Sequence, residues 1–354
     1  MSPAGVRLGV VGATGLVGTE MLRILEERAL PVAELRAFAS SRSEGRLLPF
    51  GGAEVVVERL RTGCFAGLDL VVVDVDDPLA LQWVPEATGA GALVVDNSAA
   101  FRMDPEVPLV VAEVNPEDLG TLPKGIASCP NCTTMVLVTA LAPFHRAVGI
   151  RRMVVASYQS VSGAGLAGIR ELEEQWTKGV GATERLRRAG TFPGGLEPGE
   201  VWSKPIAGNV IPLAGSLREG GYTSEERKLV LESRRILHAP NLAVSATCVR
   251  VPVFVGHAMA ANVELSGPLS LQEAVALLES APGVVMPDGA AGGPTPLDAA
   301  GVDPVLVGRL REDPSLPNTF DIWVTGDNLR KGAALNAVQM AEVLAAPGGL
   351  LSSR

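Results

Sequence analysis

Cys132 is the side chain in this sequence best suited to act as a nucleophile. It follows Pro130 and Asn131, and the apolar stretch after it, 133–146, predicts a helix. At the start of a helix, unpaired backbone N–H groups and the helix dipole favour the thiolate, which is the nucleophilic form of cysteine. The same stretch would also suit a buried and inert cysteine, which is the usual state of a free Cys.

Cys129 and Cys132 form a Cys-x-x-Cys pair, which allows two further interpretations. A thiol–disulfide oxidoreductase would use both sulfurs in turnover, and a regulatory disulfide would join them. A zinc site would need two more ligands at suitable spacing, and neither Cys64, Cys248 nor the histidines supply a second pair. We therefore predict no metal site and leave the disulfide open.

A dinucleotide site is predicted close to the N-terminus. An apolar run at 6–13 predicts a buried strand, and an amphipathic helix follows the segment Gly12-Ala-Thr-Gly-Leu-Val-Gly18. Glycines at the first, fourth and seventh places let the backbone approach a pyrophosphate, which the helix N-terminus then binds. The predicted contacts are Gly12, Thr14, Gly15, Leu16, Val17 and Gly18.

The residues at the end of the second predicted strand, 34–39, indicate whether the cofactor is NAD or NADP. A site for NAD usually has an acidic residue there, which binds the ribose 2′-hydroxyl. This chain has Ser40, Arg42 and Ser43 instead, whose hydroxyls and guanidinium suit a 2′-phosphate. We predict NADP, with a solvated polar loop as the alternative.

These residues need a two-domain α/β fold to position them, and 354 residues are enough for two cores. The sequence predicts a doubly wound, Rossmann-like NADP-binding domain, an α+β catalytic domain, and a C-terminal helix that packs on the first domain. The expected bounds of these three parts are 1–131, 132–327 and 328–354. A last strand of the first sheet is expected at 109–114, and the alternating runs 242–255 and 257–265 are expected to form neighbouring strands.

Composition argues against several partners. The net charge is −9 and no Lys/Arg-rich block offsets it, so nucleic acid is not expected. The chain has neither an N-terminal apolar signal region nor an apolar run of membrane-spanning length. Four cysteines are too few for a disulfide framework. We expect a soluble, cytoplasmic protein with no membrane partner.

Eight ordered motifs, spread over nearly the whole chain, resemble the aspartate-β-semialdehyde dehydrogenase family. They are the glycine segment at 12–18, Asp96-Asn97-Ser98-Ala-x-Phe-Arg102, Pro130-Asn131-Cys132, Tyr158-Gln159-x-Val-Ser162-Gly163-Ala-Gly, Asn209-Val-Ile-Pro, Glu225-Glu-Arg-Lys228, Thr247-Cys248-Val-Arg250-Val-Pro-Val followed by Gly256-His257, and Asp327-Asn328-Leu-Arg-Lys-Gly.

The resemblance implies NADPH-dependent reductive dephosphorylation of L-aspartyl-4-phosphate to L-aspartate-4-semialdehyde and phosphate, through a cysteine thioacyl intermediate. This step belongs to lysine/diaminopimelate, methionine and threonine biosynthesis. The resemblance also implies a homodimer, with a tetramer as the larger alternative. A thioester accepts hydride more readily than a carboxylate, which is consistent with a cysteine nucleophile.

The resemblance also implies roles for individual residues. The catalytic group is Cys132 as nucleophile, His257 as general acid/base, Gln159 orienting the acyl group, and Asn131 beside them. The substrate group is Arg102 and Lys228 for phosphate, with Glu225 and Arg250 for the amino and carboxylate groups. The nicotinamide group is Ser162, Gly163 and Asn328. Glu225 and Lys228 could equally form a surface ion pair of little energetic weight.

The chain departs from the family pattern at three places. The turn after the fourth strand carries Asp74, Asp76 and Asp77 where the family usually has small neutral residues. Cys129 and Thr133 replace the residues common at their positions. Carboxylates facing a pyrophosphate would repel it. Two alternatives therefore remain: a reductase of another acyl phosphate, such as N-acetylglutamyl phosphate, and a weakly active or non-catalytic cofactor-binding protein.

Overall fold

The structure is a computed structural model that describes residues 5–28, 30–191, 197–287 and 292–352. The chain folds into two compact units. Unit 1 is formed from Met1–Thr139, Glu232–Pro240 and Leu329–Arg354, and unit 2 from Ala140–Leu231 and Asn241–Asn328. These units are geometric, and the functional domains expected at 1–131, 132–327 and 328–354 stay predictions.

Unit 1 contains a seven-stranded sheet. Its strands are β1 (Val6–Val11), β2 (Val32–Ala39), β3 (Leu47–Phe50), β4 (Ala53–Arg59), β5 (Leu70–Val73), β6 (Leu93–Asp96) and β7 (Ile126–Ser128). Their order is β3-β4-β2-β1-β5-β6-β7, and only the β3–β4 pair is antiparallel. Sheet order therefore extends in both directions from β1, as in a doubly wound fold.

Helices cover both faces of this sheet. They include α1 (Leu16–Glu27) and α2 (Asp77–Gly89), while α3 (Cys132–Val148) begins in unit 1. Alternate residues of β5 point to opposite sides: Leu70 and Val72 belong to the core beneath α1, and Val71 and Val73 to the core beneath α2. Strands buried on both faces are apolar throughout, which is why these runs lack a polar alternation.

Unit 2 contains a six-stranded mixed sheet. Its strands are β8 (Ile150–Gln159), β9 (Ala243–Arg250), β10 (His257–Leu265), β11 (Val284–Val285), β12 (Val305–Glu312) and β13 (Thr319–Gly326), in the order β11-β12-β13-β10-β8-β9. The helices beginning in this unit are α4 (Gly165–Gly179), α5 (Thr183–Ala189), α6 (Ser224–Ile236), α7 (Leu271–Glu279) and α8 (Pro296–Ala299). Helix α6 ends in unit 1.

The expected pairing of the runs 242–255 and 257–265 is wrong. Both form strands, β9 and β10, but β8 lies between them and pairs with β9 in parallel and with β10 in antiparallel orientation. An alternating pattern identifies a strand and its buried face but does not identify the partner, because pairing is set by distant sequence.

The expected strand at 109–114 is also wrong. This segment makes a single bridge, Leu109 with Ser128, and β7 is the edge strand instead. The Asn115 side chain accepts a hydrogen bond from the Val111 amide (3.0 Å) and donates one to the Leu109 carbonyl (2.9 Å). An asparagine side chain thus satisfies backbone groups that a strand would have paired with a neighbouring strand.

The C-terminal segment packs in unit 1, as expected. A π-helical turn at Arg330–Ala334 leads into α9 (Leu335–Ala345), whose apolar face joins the core beneath α1. Arg330 donates hydrogen bonds to Glu20 (2.7 Å) and Glu27 (2.6 Å) of α1. The predicted α/β fold class, with a Rossmann-like domain and a second sheet domain, is confirmed. In the described residues, no helix has both the length and the apolarity to cross a membrane.

Candidate active site

Cys132 is the first residue of helix α3, and Asn131 caps that helix. The Asn131 side-chain oxygen accepts a hydrogen bond from the Thr133 amide (3.0 Å), and its carbonyl accepts one from the Met135 amide (2.9 Å). Cys132 is partly exposed, whereas Asn131 is buried. The capped start places the sulfur in the first turn, where the helix dipole favours a negative charge.

Glu232 connects this turn to Arg102 in unit 1. One carboxylate oxygen accepts from Arg102 Nη1 (3.2 Å) and the other from the backbone amide of Asn131 (2.7 Å). Arg102 also donates from Nη2 to the carbonyl of Asn97 (2.9 Å). Glu232 is 1% exposed and Arg102 8% exposed, so the bridge lies in a buried setting. Sequence analysis did not identify Glu232.

The next turn of α6 holds the loop that begins at Arg102. The Arg235 guanidinium donates to the carbonyls of Arg102 (2.6 Å), Asp104 (2.7 Å) and Val107 (2.5 Å). One sequence signal could have identified both residues. Glu232 and Arg235 continue the spacing of Glu225 and Lys228, so all four lie on one face of a helix.

The glycine-rich segment forms the tight turn between β1 and α1. Gly12 has φ +86°, and a Cβ there would lie 2.0 Å from the carbonyl oxygen of Asp74. A Cβ at Gly18 would lie 2.2 Å from the Gly12 oxygen. Only glycine therefore fits at either position. Gly15 caps α1, which then begins at Leu16 and Val17 without an acidic residue in its first turn.

Two parts of the predicted cofactor site, the glycine turn and the serine turn after β2, meet in unit 1. Thr14 donates from its hydroxyl to the Ser43 hydroxyl at 3.3 Å. Ser43 ends a short helical turn, Ser41–Ser43, in which its amide donates to the Ser40 carbonyl (2.9 Å). Ser40 and Arg42 are exposed. This geometry fits a dinucleotide whose pyrophosphate binds at the start of α1 and whose 2′-phosphate binds at the serine turn.

In the acidic turn after β5, two of the three carboxylates form hydrogen bonds within unit 1. Asp74 accepts a hydrogen bond from the side-chain amide of Asn97 (2.7 Å), and Asp77 accepts one from the backbone amide of Ala99 (2.8 Å). Burial raises the pKa of Asp74, and the Asn97 hydrogen bond only partly offsets this rise. Asp76 is exposed. Asp74 and Asp77 therefore hold the loop that follows β6 through these two hydrogen bonds.

In unit 2, His257 is fully buried and held from the end of β8. The backbone amide of Ser160 donates to His257 Nδ1 (3.1 Å), and the Ser160 hydroxyl lies 3.1 Å from the same nitrogen. Because Nδ1 accepts from the amide, Nε2 carries the proton of the neutral ring. Burial, with the charge of Arg250, lowers the His257 pKa to about 3. An ordinary histidine has a pKa near 6.5, so the buried ring of His257 stays neutral at neutral pH.

Asn328 organises the residues around this histidine. Its side-chain oxygen accepts from the Gly256 amide (2.9 Å) and from the hydroxyls of Ser160 (3.0 Å) and Ser162 (3.1 Å). Its amide nitrogen lies 2.9 Å from the Ser162 hydroxyl. At Gly163, a Cβ would lie 2.8 Å from Arg250 Nη1. Hydroxyl and amide groups thus fix this turn with no side-chain charge of their own.

Arg250 and Gln159 are cross-strand partners at the ends of β9 and β8. Arg250 donates to the Ser160 carbonyl (2.6 Å), and its guanidinium lies 5.0 Å from the ring centre of Trp202. Gln159 is 1% exposed and donates to the hydroxyl of Ser157 (3.2 Å). A stacked guanidinium of this kind is oriented for planar recognition of a carboxylate.

Glu225 and Lys228 form an ion pair of 2.8 Å on helix α6 in unit 2. The Glu225 side chain is 11% exposed and that of Lys228 31% exposed. The pair is therefore more enclosed than an ordinary surface ion pair, although it retains access to solvent.

Cys129 lies in the core of unit 1, and no disulfide joins it to Cys132 in the structure. The Cys129 sulfur is 0% exposed and lies 3.5 Å from the sulfur of Met340. Burial raises its pKa to about 12, so its thiolate is strongly disfavoured.

One group of potential metal ligands occurs in the described part of the chain, at the surface of unit 1. The ligand atoms of Glu117, Asp118 and His238 lie within 4.8 Å of one another. His238 Nε2 is 3.2 Å from an Asp118 oxygen, which is an ordinary hydrogen-bonding arrangement. None of the chemistry proposed below involves this group.

Comparisons with known proteins bear on this arrangement. A family model described as the NAD binding domain of semialdehyde dehydrogenase matches residues 7–122, and one described as the dimerisation domain matches residues 141–331. Aspartate-semialdehyde dehydrogenase from Streptomyces akiyoshiensis is 50% identical, over 96% of this chain and 99% of its own. The enzyme of that name from Mycolicibacterium smegmatis is 47% identical, over 96% of this chain and 99% of its own.

Solved structures agree. Aspartate semialdehyde dehydrogenase II from Vibrio cholerae is 42% identical with a TM-score of 0.88, covering 96% of this chain and 98% of that one. A dinucleotide-binding sheet, a second mixed sheet and a cysteine at a helix start define an α/β oxidoreductase. The matches give the particular family: the chain belongs to the semialdehyde dehydrogenases.

Proposed function

We propose that this protein reduces L-aspartyl-4-phosphate to L-aspartate-4-semialdehyde and phosphate with NADPH, as an aspartate-semialdehyde dehydrogenase. The observation that carries the proposal is the partly exposed Cys132 at the capped start of α3, because acyl-phosphate chemistry requires an accessible sulfur nucleophile. Identities of 40–50% to proteins with that name over nearly their whole length support the same substrate.

NADP fits the residues around the glycine turn. The backbone at Gly12, Gly15 and Gly18 and the first turn of α1 would hold the pyrophosphate, with Thr14 beside it. Ser40, Arg42 and Ser43 would hold the 2′-phosphate, and Ser162, Gly163 and Asn328 would lie on the nicotinamide side. When bound, the cofactor supplies the hydride that reduces the thioester carbon.

Cys132 carries the covalent chemistry. Its thiolate attacks the acyl carbon of the substrate, a carbon–sulfur bond forms, and the carbon–oxygen bond to phosphate breaks. After reduction of the thioester carbon, the carbon–sulfur bond breaks, the aldehyde forms, and Cys132 returns as the thiolate. The start of α3 favours this charged form at both stages of the cycle.

His257 acts through Nε2–H as a neutral donor in this proposal. The Ser160 amide occupies Nδ1, so Nε2 presents its proton to the substrate carbonyl oxygen on which negative charge develops. A neutral imidazole has served this role where its pKa is lowered, because it stabilises an oxyanion without first titrating. Gln159, at the end of β8, orients the acyl group.

The substrate's charged groups would be shared among four residues. Arg102 and Lys228 bind phosphate, while Arg250 binds the carboxylate and Glu225 the amino group. The Arg250 guanidinium is fixed over Trp202 and by the Ser160 carbonyl, which supports planar binding of a carboxylate. Lys228 is partly exposed and can act as a flexible point charge.

The family match to a dimerisation domain supports a homodimer. In this proposal a tetramer is the larger alternative. The proposal assigns NADP binding to 1–131, catalysis and dimerisation to 132–327, and packing on the first domain to 328–354. It also assigns the protein to the cytoplasm, where a reactive thiol stays reduced.

Phosphate-dependent reduction of NADP by the purified, reduced protein with aspartate semialdehyde tests the proposal. We expect turnover that requires all three substrates and prefers NADP to NAD. A folded sample that turns over neither cofactor would overturn it. Activity with N-acetylglutamate semialdehyde but not with aspartate semialdehyde would replace the substrate while keeping the chemistry.

A further inference from the structure

Glu232 satisfies two hydrogen-bond donors that approach from different parts of the sequence. Its Oε1 accepts from Arg102 Nη1 at 3.2 Å and its Oε2 from the Asn131 amide at 2.7 Å. Arg102 is a proposed phosphate contact, and Asn131 is the residue before the proposed nucleophile. A single buried carboxylate therefore contacts both the proposed phosphate ligand and the turn before the proposed nucleophile.

Only a carboxylate can make both contacts. A glutamine at this position would have one acceptor oxygen, so its NH₂ group would face a donor: either the Arg102 guanidinium or the Asn131 amide. One of the two anchors would then be lost and a buried donor left without a partner. Glu232→Gln preserves side-chain shape and removes this specific double acceptor.

Arg235 acts on the backbone of the same loop. Its three hydrogen bonds go to the carbonyls of Arg102, Asp104 and Val107, at 2.6, 2.7 and 2.5 Å. The planar fork of a guanidinium can serve several carbonyls at once, whereas a lysine offers one compact charge. Glu232 thus binds the side chain of Arg102, and Arg235 binds its backbone carbonyl.

We propose that Glu232 and Arg235, one turn apart on α6, are positioning residues that fix the Arg102 guanidinium and the turn preceding Cys132. Neither touches the reacting atoms in this proposal; both act through Arg102 and Asn131. Their roles presuppose the reaction proposed above, in which Arg102 binds phosphate and Cys132 attacks the acyl carbon.

A purely structural ion pair is the competing explanation, and it makes a different prediction. Removing one partner of a buried pair destabilises the fold whether or not the site is near. Glu226 supplies a matched control on the same helix. It is also buried (8% exposed), and its two oxygens accept from the backbone amides of Thr223 (2.7 Å) and Cys248 (3.0 Å) in unit 2. Glu226→Gln should therefore reproduce the loss of stability alone.

The test compares steady-state kinetics and thermal unfolding of Glu232→Gln and Glu226→Gln in the full-length protein. We expect Glu232→Gln to lower kcat/KM for phosphate at least about tenfold below the control at a similar melting temperature, because small displacements of catalytic groups are costly. A fall in kcat would indicate loss of the Asn131 anchor, and a rise in phosphate KM would indicate loss of the Arg102 anchor. Values within about threefold of the control would overturn the role of Glu232.

Arg235→Lys tests the second residue with the charge retained. Its phosphate KM should rise roughly tenfold while kcat changes little, because the loop loses most of its backbone anchors but the nucleophile turn keeps Glu232. An unchanged phosphate KM would overturn the role of Arg235.

Arg102→Lys separates this inference from the proposed function. If the wild type turns over and Arg102→Lys raises the phosphate KM, the reaction and the role of Arg102 stand, and inert Glu232 and Arg235 variants would remove only the positioning roles. If Arg102→Lys leaves the phosphate KM unchanged, the phosphate role itself is wrong. If Glu232 acts through Arg102, the effects of Arg102→Lys and Glu232→Gln on phosphate KM should be non-additive.

Discussion

The residues around Cys132 and those around His257 are held by two different kinds of contact. Near Cys132, a buried carboxylate pairs with a guanidinium and a backbone amide. Near His257, hydroxyl, amide and backbone groups from Ser160, Ser162 and Asn328 form the network. Ionic contacts suit a place where phosphate and thiolate charges arise. Ser160 contacts the Nδ1 atom of His257 through its amide and hydroxyl groups, which are neutral, and this suits a ring that must stay uncharged in a fixed tautomer.

Loss of the nucleophile should have the largest effect. Cys132→Ala should reduce turnover by at least about a thousandfold, because no other group in the proposal can form the thioester. Initial rates with saturating phosphate, together with a melting curve to show that the variant folds, provide the measurement. Appreciable residual turnover would remove Cys132 from the centre of the chemistry.

Cys129→Ala is the matched control for that variant. Its sulfur lies in the core against Met340, so the substitution should cost about 1–2 kcal/mol of stability and leave turnover within about threefold. Loss of activity comparable to that of Cys132→Ala would instead favour the thiol–disulfide interpretation, in which both sulfurs take part.

Replacement of His257 tests the neutral network. His257→Asn should lower kcat by roughly 10²–10³-fold, since the Nε2–H donor is lost. The acid limb of the kcat/KM profile should nevertheless persist in this variant, because the pKa of His257 is about 3 and the ring stays neutral throughout the assay range. If the acid limb disappears with the histidine, then His257 titrates there, and the fixed tautomer is wrong.

The same lowered pKa predicts a dependence of stability on pH. The ring has a pKa of about 3 in the folded chain against an ordinary value of 6.5, so only the unfolded state binds its proton between these values. Stability is therefore lost as pH falls from 6.5 towards 3. Urea unfolding at pH 6.5 and 4.5 should show that wild type loses about 2–3 kcal/mol more than His257→Asn, at 1.36 kcal/mol per pKa unit. Equal losses would mean that the ring is not buried and neutral.

Cofactor choice should respond more weakly, because Arg42 is exposed. Arg42→Ala should raise the KM for NADPH about tenfold and leave that for NADH nearly unchanged, since only the former carries the 2′-phosphate. Parallel changes for the two cofactors would show that the residue does not read the 2′-phosphate. Arg46→Ala, a nearby exposed arginine, is the control for general loss of positive charge.

Local patterns in the sequence predicted most helices and strands. Which strands pair with one another depends on contacts between residues distant in the sequence. The strand–glycine–helix pattern at 6–27 and the helix after Cys132 depend on residues close in sequence, and both are present. The place of β8 between β9 and β10 depends on strands from distant parts of the chain, which no periodicity records. The strand predicted at 109–114 is absent for a related reason. The Asn115 side chain forms hydrogen bonds with backbone groups of Val111 and Leu109 that a neighbouring strand would otherwise have paired.

The candidate site shows the same limit. Cys132 was identified from its own stretch, and His257 from a motif. Glu232 was missed because its two partners, Arg102 and Asn131, lie more than a hundred residues away along the chain. The lowered pKa of His257 could not be predicted from the sequence either, because the complete burial that causes it exists only in the folded chain.

The smallest effect is expected at the acidic turn. If the carboxylate of Asp74 faced the pyrophosphate, Asp74→Asn would remove a repulsion and tighten NADPH binding severalfold, with a strong dependence on salt. In the structure an Asp74 carboxylate oxygen accepts a hydrogen bond from the Asn97 side-chain amide, so this oxygen is engaged by the loop that follows β6. Burial also raises the pKa of Asp74. We therefore expect the dissociation constant for NADPH, measured by fluorescence titration at low and high ionic strength, to change less than about twofold. The exposed Asp76→Asn is the matched control. Tighter binding in Asp74→Asn alone, and only at low salt, would mean that the Asp74 carboxylate is charged, faces the pyrophosphate and weakens NADP binding.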